Sequence, residues 1–283
     1  MTGAGGQLGR SLVAEATRRG LAVSARTHET LDISDERAVA RSLEEVGPSI
    51  VVNCAAFTQV DACEIQPEAA ERANALAPGV LARACGRSVR LVHLSTEYVF
   101  SGRASRPFRE SSRTAPLSVY GRSKLAGELR VREASQDHLV VRTQWLFGPG
   151  RNFVRTIAGA ARRGEALRVV EDQLGRPTWT GALAGGILDA VQGGARGILH
   201  LACDGVASWF DLALAVVCEG VRRGWHGPVS LEPVATRQLP RPARRPAYGV
   251  LGLERARALG LGLGHWRAAL RNYLDREDEA ERA

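Results

Sequence analysis

Lysine is almost absent: of 38 Lys plus Arg residues in 283, Lys124 is the single lysine and the other 37 are Arg. Arginine replaces lysine readily on a solvated surface, but it is too large and too permanently charged where a compact ammonium is needed. The one position that carries Lys is therefore singled out. Cysteine is also sparse. Cys54, Cys63, Cys85, Cys203 and Cys218 are scattered and never form a Cys-x-x-Cys pair, which excludes a disulfide framework or cysteine zinc site and suits the cytoplasm. No apolar run approaches the roughly 20 residues that span a bilayer, and no basic segment followed by a hydrophobic one opens the chain. No membrane association is expected. The net charge of +8 comes from arginines spread along the chain, the densest run being the proline-broken Arg237 to Arg245, so no nucleic-acid partner is expected either.

What is present is an alternation of apolar stretches and helical patterns. Leu21 to Ala25, Ser49 to Cys54, Val89 to Leu94, His138 to Thr143 and Gly197 to Ala202 read as short buried strands. Between them, helices are expected over about Gln7 to Arg19, Asp35 to Val46 and Pro67 to Gly86. Strands separated by such helices imply right-handed crossovers and a doubly wound α/β domain with a parallel sheet. After about Gly148 the pattern loosens. Helices are expected over Asn152 to Gly164, Gly181 to Val191, Ser208 to Arg223 and near His265 to Tyr273, the third opened by a Ser208/Asp211 capping box. The division that follows assigns residues 1–148 and 179–206 to a Rossmann-like domain, and 149–178 and 207–283 to a smaller discontinuous lobe.

The turn Thr2-Gly3-Ala4-Gly5-Gly6-Gln7-Leu8-Gly9 leads straight into the first helix. Its glycines permit a tight turn and let backbone N–H groups and the helix N-terminus approach a pyrophosphate, which points to a nicotinamide dinucleotide. After the second strand stands Arg26, suited to a ribose 2′-phosphate, so NADPH is the expected cofactor, with NADH as the alternative; Asp32 is expected nearer the adenine. Only Met1 and Thr2 precede the turn, where such a domain has its central strand. The first strand is therefore expected to be missing, from a start assigned too late or a shortened chain.

The chemistry is expected from three side chains. Tyr120 and Lys124 are four apart, which places them on one helix face, and a neighbouring ammonium would favour the phenolate of Tyr120. Thr96 follows the strand Val89 to Leu94, at the sheet edge where open α/β folds bind ligands, with its hydroxyl available to a substrate carbonyl. The small residues after Asn53 end another strand in the same way.

With Thr2-Gly-x-x-Gly-x-x-Gly9, Leu31-Asp-Ile-Ser-Asp35, Asn53-Cys-Ala-Ala56, Ser95-Thr-Glu-Tyr-Val-Phe100, Tyr120-Gly-Arg-Ser-Lys-Leu-Ala-Gly-Glu128 and Arg142-Thr-Gln-Trp145, the chain resembles the dTDP-4-dehydrorhamnose reductase family of extended short-chain dehydrogenases. Asp172-Gln-x-Gly-x-Pro-Thr178 and Arg245-Pro-Ala-Tyr248 carry the likeness into the second lobe. The resemblance implies reduction of the C4 ketone of dTDP-4-dehydro-L-rhamnose, with Tyr120 as proton donor, Thr96 orienting the ketone and Lys124 holding the cofactor ribose. It implies a cofactor site of Gly3, Gly6, Gln7, Leu8 and Gly9 with Arg26, Asp32 and Ile33, completed by Ala56, Phe57, Thr58, Leu94, Tyr120 and Lys124. Thr96, Glu97, Tyr120 and Trp145 are implied to face the sugar nucleotide. A homodimer is the implied assembly, while magnesium, which some relatives hold at a subunit contact, is not indicated by this sequence. Two departures stand out: the family commonly has Asp where this chain has Glu97, and Ser where it has Gly249. They leave room for a related dTDP-4-keto-6-deoxy sugar of an antibiotic pathway, such as the dihydrostreptose precursor. A non-catalytic regulatory binding subunit is the further alternative. Dehydratases of this fold place a second acid where this chain has Tyr98, which argues against elimination chemistry.

Overall fold

The computed structural model describes residues 1–135, 137–225 and 230–282. Four parallel strands form the central sheet: β1 (Ile50–Asn53), β2 (Arg90–Thr96), β3 (His138–Thr143) and β4 (Gly197–His200), adjacent in that order. The register sets Val52 beside Val92, Val92 beside Leu139, and Leu139 beside Gly197. These strands are rich in Val, Ile and Leu because both faces are covered. Val92, Leu94, Leu139 and Val141 pack against Leu8 and Leu12 of the helix Gln7–Arg18 and Leu183 and Ile187 of Thr180–Gln192. Leu91 and Val140 point the other way, onto Val39 of Glu36–Val46, Leu81 of Ala77–Cys85 and Val131 of Val119–Ala134. This is the doubly wound arrangement that the alternation of elements implies.

The edge beyond β1 departs from expectation. Leu21 to Ala25 forms no ladder, because a strand needs a neighbour and the position between it and β1 is filled by Met1 and Thr2 alone. Thr2 bridges Arg26 and Asn53 in parallel, through Arg26 N–H to Met1 O at 2.8 Å, Thr2 N–H to Val52 O at 3.0 Å and Cys54 N–H to Thr2 O at 3.1 Å. Thr2 thus occupies the sheet position between Arg26 and β1.

The helix expected over Pro67 to Gly86 is three joined segments: Pro67–Glu71, a π-helical turn Arg72–Leu76 and Ala77–Cys85. Such turns recur at functional sites. Within this one, fully buried Asn74 accepts the Phe57 N–H at 2.8 Å and donates to Phe57 O and Ser123 Oγ, both at 3.0 Å. It fixes the loop after β1 to the helix that carries Tyr120. Outside the sheet, Leu167–Val170 pairs in parallel with Leu231–Val234, and the helices Phe153–Arg162, Trp209–Arg222 and Trp266–Arg282 enclose a separate core around Ile157, Leu212, Val216, Trp266 and Leu270. The Ser208/Asp211 capping box forms as its spacing predicts. Among the described residues no helix is long and apolar enough to cross a membrane.

Candidate active site

The site is assembled at the carboxyl edge of the sheet. β2 ends in Thr96, whose Oγ1 accepts the Tyr98 N–H at 3.2 Å and so starts the short 3-10 turn Glu97–Val99. Beside it begins the helix Val119–Ala134, its first turn held by Ser118 Oγ accepting the Gly121 N–H at 3.1 Å and Glu64 Oε1 accepting the Val119 N–H at 2.8 Å. Tyr120 and Lys124 are both buried one turn apart on this helix. The Lys124 ammonium donates to the Leu94 carbonyl at 2.5 Å, and the Tyr120 ring meets Tyr98 edge-on at 5.4 Å and 76°. Thr96 Oγ1 donates to Glu97 Oε2 at 2.8 Å, so the turn and the helix converge on Thr96, Glu97 and Tyr120.

Burial dominates the electrostatics. It raises the Tyr120 phenol above its ordinary value, helped by the Glu97 carboxylate and opposed by a hydrogen bond with Thr96. The Lys124 ammonium is engaged by the Leu94 carbonyl. Tyr120 is accordingly a stable hydroxyl donor, not a poised phenolate. Lys124 itself is lowered to about 8 by burial, against the raising effect of Glu128 and Cys54. Glu97 is raised to about 7 by burial, with the Thr96 hydroxyl, Arg245 and a hydrogen bond from Trp145 pulling down. Between pH 4.5 and about 7 the folded chain therefore retains a proton on Glu97 that the unfolded chain releases. Its contribution to stability is full at the acid end and falls as pH rises through that window. The thermal midpoint of wild type relative to Glu97→Gln should fall steadily over the same range; parallel curves would contradict this protonation.

A cavity of about 840 Å³ opens along the glycine turn and the carboxyl end of β1. Gly3, Gly6, Asp32, Ile33, Ala56 and Phe57 line it, as implied for the cofactor. The turn is closed by backbone contact: Gly3 has φ +65 with a Cβ position 2.4 Å from Ala55 N, and a Cβ on Gly9 would stand 2.2 Å from Gly3 O. Gln7 Nε2 is buried without a hydrogen-bond partner, and Leu8 points into the core. A tight turn with exposed backbone amides, an unmatched buried donor and a helix start fits the pyrophosphate of a dinucleotide. Gly9→Ala should cost about 1–3 kcal/mol in stability and most of the dinucleotide affinity; a melting curve and a fluorescence titration that both match wild type would count against the cradle.

Arg26 is placed elsewhere. Its Nη2 lies 3.1 Å from Glu45, and it lines a separate small crevice with Met1, Ser24 and Leu43. Its side chain is turned away from the cofactor cavity, where Thr27 and His28 face instead. Thr58 is exposed at the end of the loop after β1 and does not line the cavity, while Leu94 contributes its carbonyl to Lys124.

A second cavity, of about 720 Å³, lies in the smaller lobe, with Arg168, Arg241, Arg244, Arg245, Gln173 and Trp209 on its walls. Arg245 joins the two halves: its Nη1 donates to Tyr98 OH at 3.0 Å and its Nη2 to Asp61 Oδ2 at 2.9 Å. Trp145, at φ +50 the one non-glycine residue in the left-handed region among those described, is stacked at 3.8 Å and 11° on Trp209 of this cavity wall. Backbone strain of this kind is held only where surrounding contacts impose it. The Glu97 and Gly249 departures fit one another, since a Cβ on Gly249 would meet Glu97 Cγ at 3.1 Å. Trp209 and Asn74 carry no local sequence signal beyond a large aromatic after a cap and a polar residue in an alanine-rich helix.

The sequence profile of the RmlD substrate binding domain family matches residues 1–279. The dTDP-4-dehydrorhamnose reductase of Mycolicibacterium smegmatis is 45% identical over 281 residues, covering 97% of this chain and 84% of that protein. A probable dTDP-4,6-dihydroxy-2-methyloxan-3-one 4-ketoreductase of Streptomyces antibioticus is 46% identical over 276 residues, covering 96% and 92%. The crystal structure of dTDP-4-dehydrorhamnose reductase from Bacillus anthracis in complex with NADP is similar with a TM-score of 0.92 at 32% identity, covering 97% of each chain.

Proposed function

Since the chain belongs to the RmlD substrate binding domain family, with dTDP-4-dehydrorhamnose reductases among its relatives, we propose that it reduces the C4 ketone of dTDP-4-dehydro-L-rhamnose to dTDP-L-rhamnose. The observation that carries this reading is the convergence of Thr96, Tyr120 and Lys124 at the sheet edge. NADPH, or NADH in its place, would supply the hydride when bound, held by the glycine turn, Gln7 and Lys124. Tyr120 keeps its proton at neutral pH because burial and Glu97 disfavour the phenolate, and it delivers that proton only as negative charge develops on the ketone oxygen. The Thr96 hydroxyl, now on Glu97, orients that oxygen. In the lobe cavity the arginines suit a diphosphate and Trp209, stacked on Trp145, offers an aromatic surface to base or sugar. Residues 1–148 and 179–206 thus serve the cofactor, and 149–178 and 207–283 the sugar nucleotide. The expected setting is the cytoplasm, with all five cysteines free, and the expected assembly a homodimer.

A related 4-keto-6-deoxy sugar is the second reading, favoured by the mutual fit of Glu97 and Gly249, which changes the sugar end of the pocket. A screen of dTDP-linked 4-keto sugars against NADPH and NADH separates the two. Fastest oxidation of the cofactor with dTDP-4-dehydrorhamnose is expected; a faster related sugar would support the second reading, and no turnover with any of them would leave only a binding role.

A further inference from the structure

The large cavity contains one cation that the reading above does not use. Arg72 opens the π-helical turn and lines the cavity with Thr27, His28, Glu29, Asp32 and Ser34. Among the described residues it is the only Arg or Lys on that lining. Its Nη2 lies 2.8 Å from Asp32 Oδ2 and its Nε donates to Ser34 Oγ at 2.9 Å. Asp32 is largely engaged by these neighbours: Oδ1 accepts the Ser34 N–H at 2.9 Å and the Ser34 hydroxyl at 2.7 Å, while Oδ2 takes the guanidinium. An acid that reads a free ribose 2′-hydroxyl needs lone pairs turned to the ligand, and three of the roughly four acceptor sites of Asp32 are taken by Ser34 and Arg72. Glu29, the other acid on this lining, is held by the Thr27 hydroxyl. Arg26, the residue whose position in the sequence points to a 2′-phosphate, faces Glu45 in a different crevice.

We propose that Arg72 is the residue that reads the 2′-phosphate of a phosphorylated dinucleotide in this cavity. The proposal rests on the dinucleotide reading of the cavity and goes beyond it in naming the group that selects between the two cofactors. A guanidinium has five donors, and Arg72 uses two of its nitrogens on Asp32 and Ser34, leaving Nη1 for a ligand. With side chains 64% and 45% exposed, the Arg72–Asp32 pair is held weakly and exchanges partners readily for a doubly charged phosphate. Its geometry also accounts for the short reach: the turn that buries Asn74 on one side leaves Arg72, two residues earlier, facing the cavity.

Calorimetric titration of the full chain with adenosine 2′,5′-bisphosphate, 5′-AMP, NADPH and NADH tests this without turnover. Wild type should bind the two 2′-phosphorylated ligands more tightly than their counterparts. Arg72→Ala should weaken those two by about 10-fold or more while leaving 5′-AMP and NADH within about twofold, Arg72→Lys should retain part of the preference, and Arg26→Ala should change nothing. An equal loss for all four ligands in Arg72→Ala, an unchanged preference, or a preference lost in Arg26→Ala would overturn the assignment. A melting curve of each variant identifies loss of fold, in which case Arg72→Lys decides. No binding of any of the four by wild type would instead overturn the dinucleotide reading itself.

Discussion

Replacing Tyr120 by Phe is expected to lower kcat by about 10²–10⁴-fold with little change in dinucleotide affinity. The phenol ring is buried against Tyr98, so Phe keeps the packing and removes only the hydroxyl. In the proposed reaction that hydroxyl is the proton source for a ketone that becomes an alcohol, and the neighbouring candidates are otherwise engaged. The Thr96 hydroxyl is donated to Glu97, and the Lys124 ammonium is bound to the Leu94 carbonyl. Glu97 could hold a proton near neutral pH, but Thr96 lies between it and the position Tyr120 serves. Steady-state kinetics with a separate cofactor titration check this; near-normal kcat in Tyr120→Phe would remove Tyr120 from the chemistry.

The second large effect is structural and reaches the same site. Glu128 and Arg142 form a buried bidentate pair, Nη2 to Oε2 at 2.6 Å and Nε to Oε1 at 2.9 Å, with side chains 1% and 2% exposed. Ser95 donates to the same carboxylate, and the Arg142 guanidinium lies over the Phe100 ring. The pair fastens the helix of Tyr120 to β2 and β3 where they deliver Thr96 and Trp145. Glu128→Ala leaves a buried guanidinium without its counter-charge, which costs about 3–5 kcal/mol in denaturant unfolding. Because Glu128 raises Lys124, its removal should also move the alkaline limit of activity to lower pH. The double replacement Glu128→Leu with Arg142→Met should recover much of the stability, since an apolar pair of similar volume carries no desolvation penalty. A loss below about 1 kcal/mol in Glu128→Ala would show that the pair is effectively solvated.

The parts of this fold that can be read from sequence are those fixed by local pattern. Val- and Leu-rich stretches mark β2 and β3 because both sheet faces are covered, and the four-residue spacing of Tyr120 and Lys124 holds on any helix. The Ser208/Asp211 box likewise depends only on residues three apart. What local pattern misses depends on partners far along the chain. Leu21 to Ala25 has strand composition but only Met1 and Thr2 to pair with. Arg26 follows that segment, yet its side chain pairs with Glu45, nineteen residues on, in a separate crevice. Lys124 has the expected place, but its ammonium finds the carbonyl of a residue thirty positions earlier, a contact that no local spacing announces. Arg72, Asn74 and the stacking of Trp209 on Trp145 arise from a π-turn and a strained residue that composition does not announce.

The central claim is hydride transfer to a sugar carbon with Tyr120 protonating the oxygen. Incubating the full chain with 4-deuterated NADPH and dTDP-4-dehydrorhamnose, and reading the product by NMR, tests it most directly. A single deuteron at C4 of dTDP-rhamnose, formed by wild type and lost in Tyr120→Phe, is the predicted result. Cofactor bound but no deuteron at C4, in wild type, would contradict it.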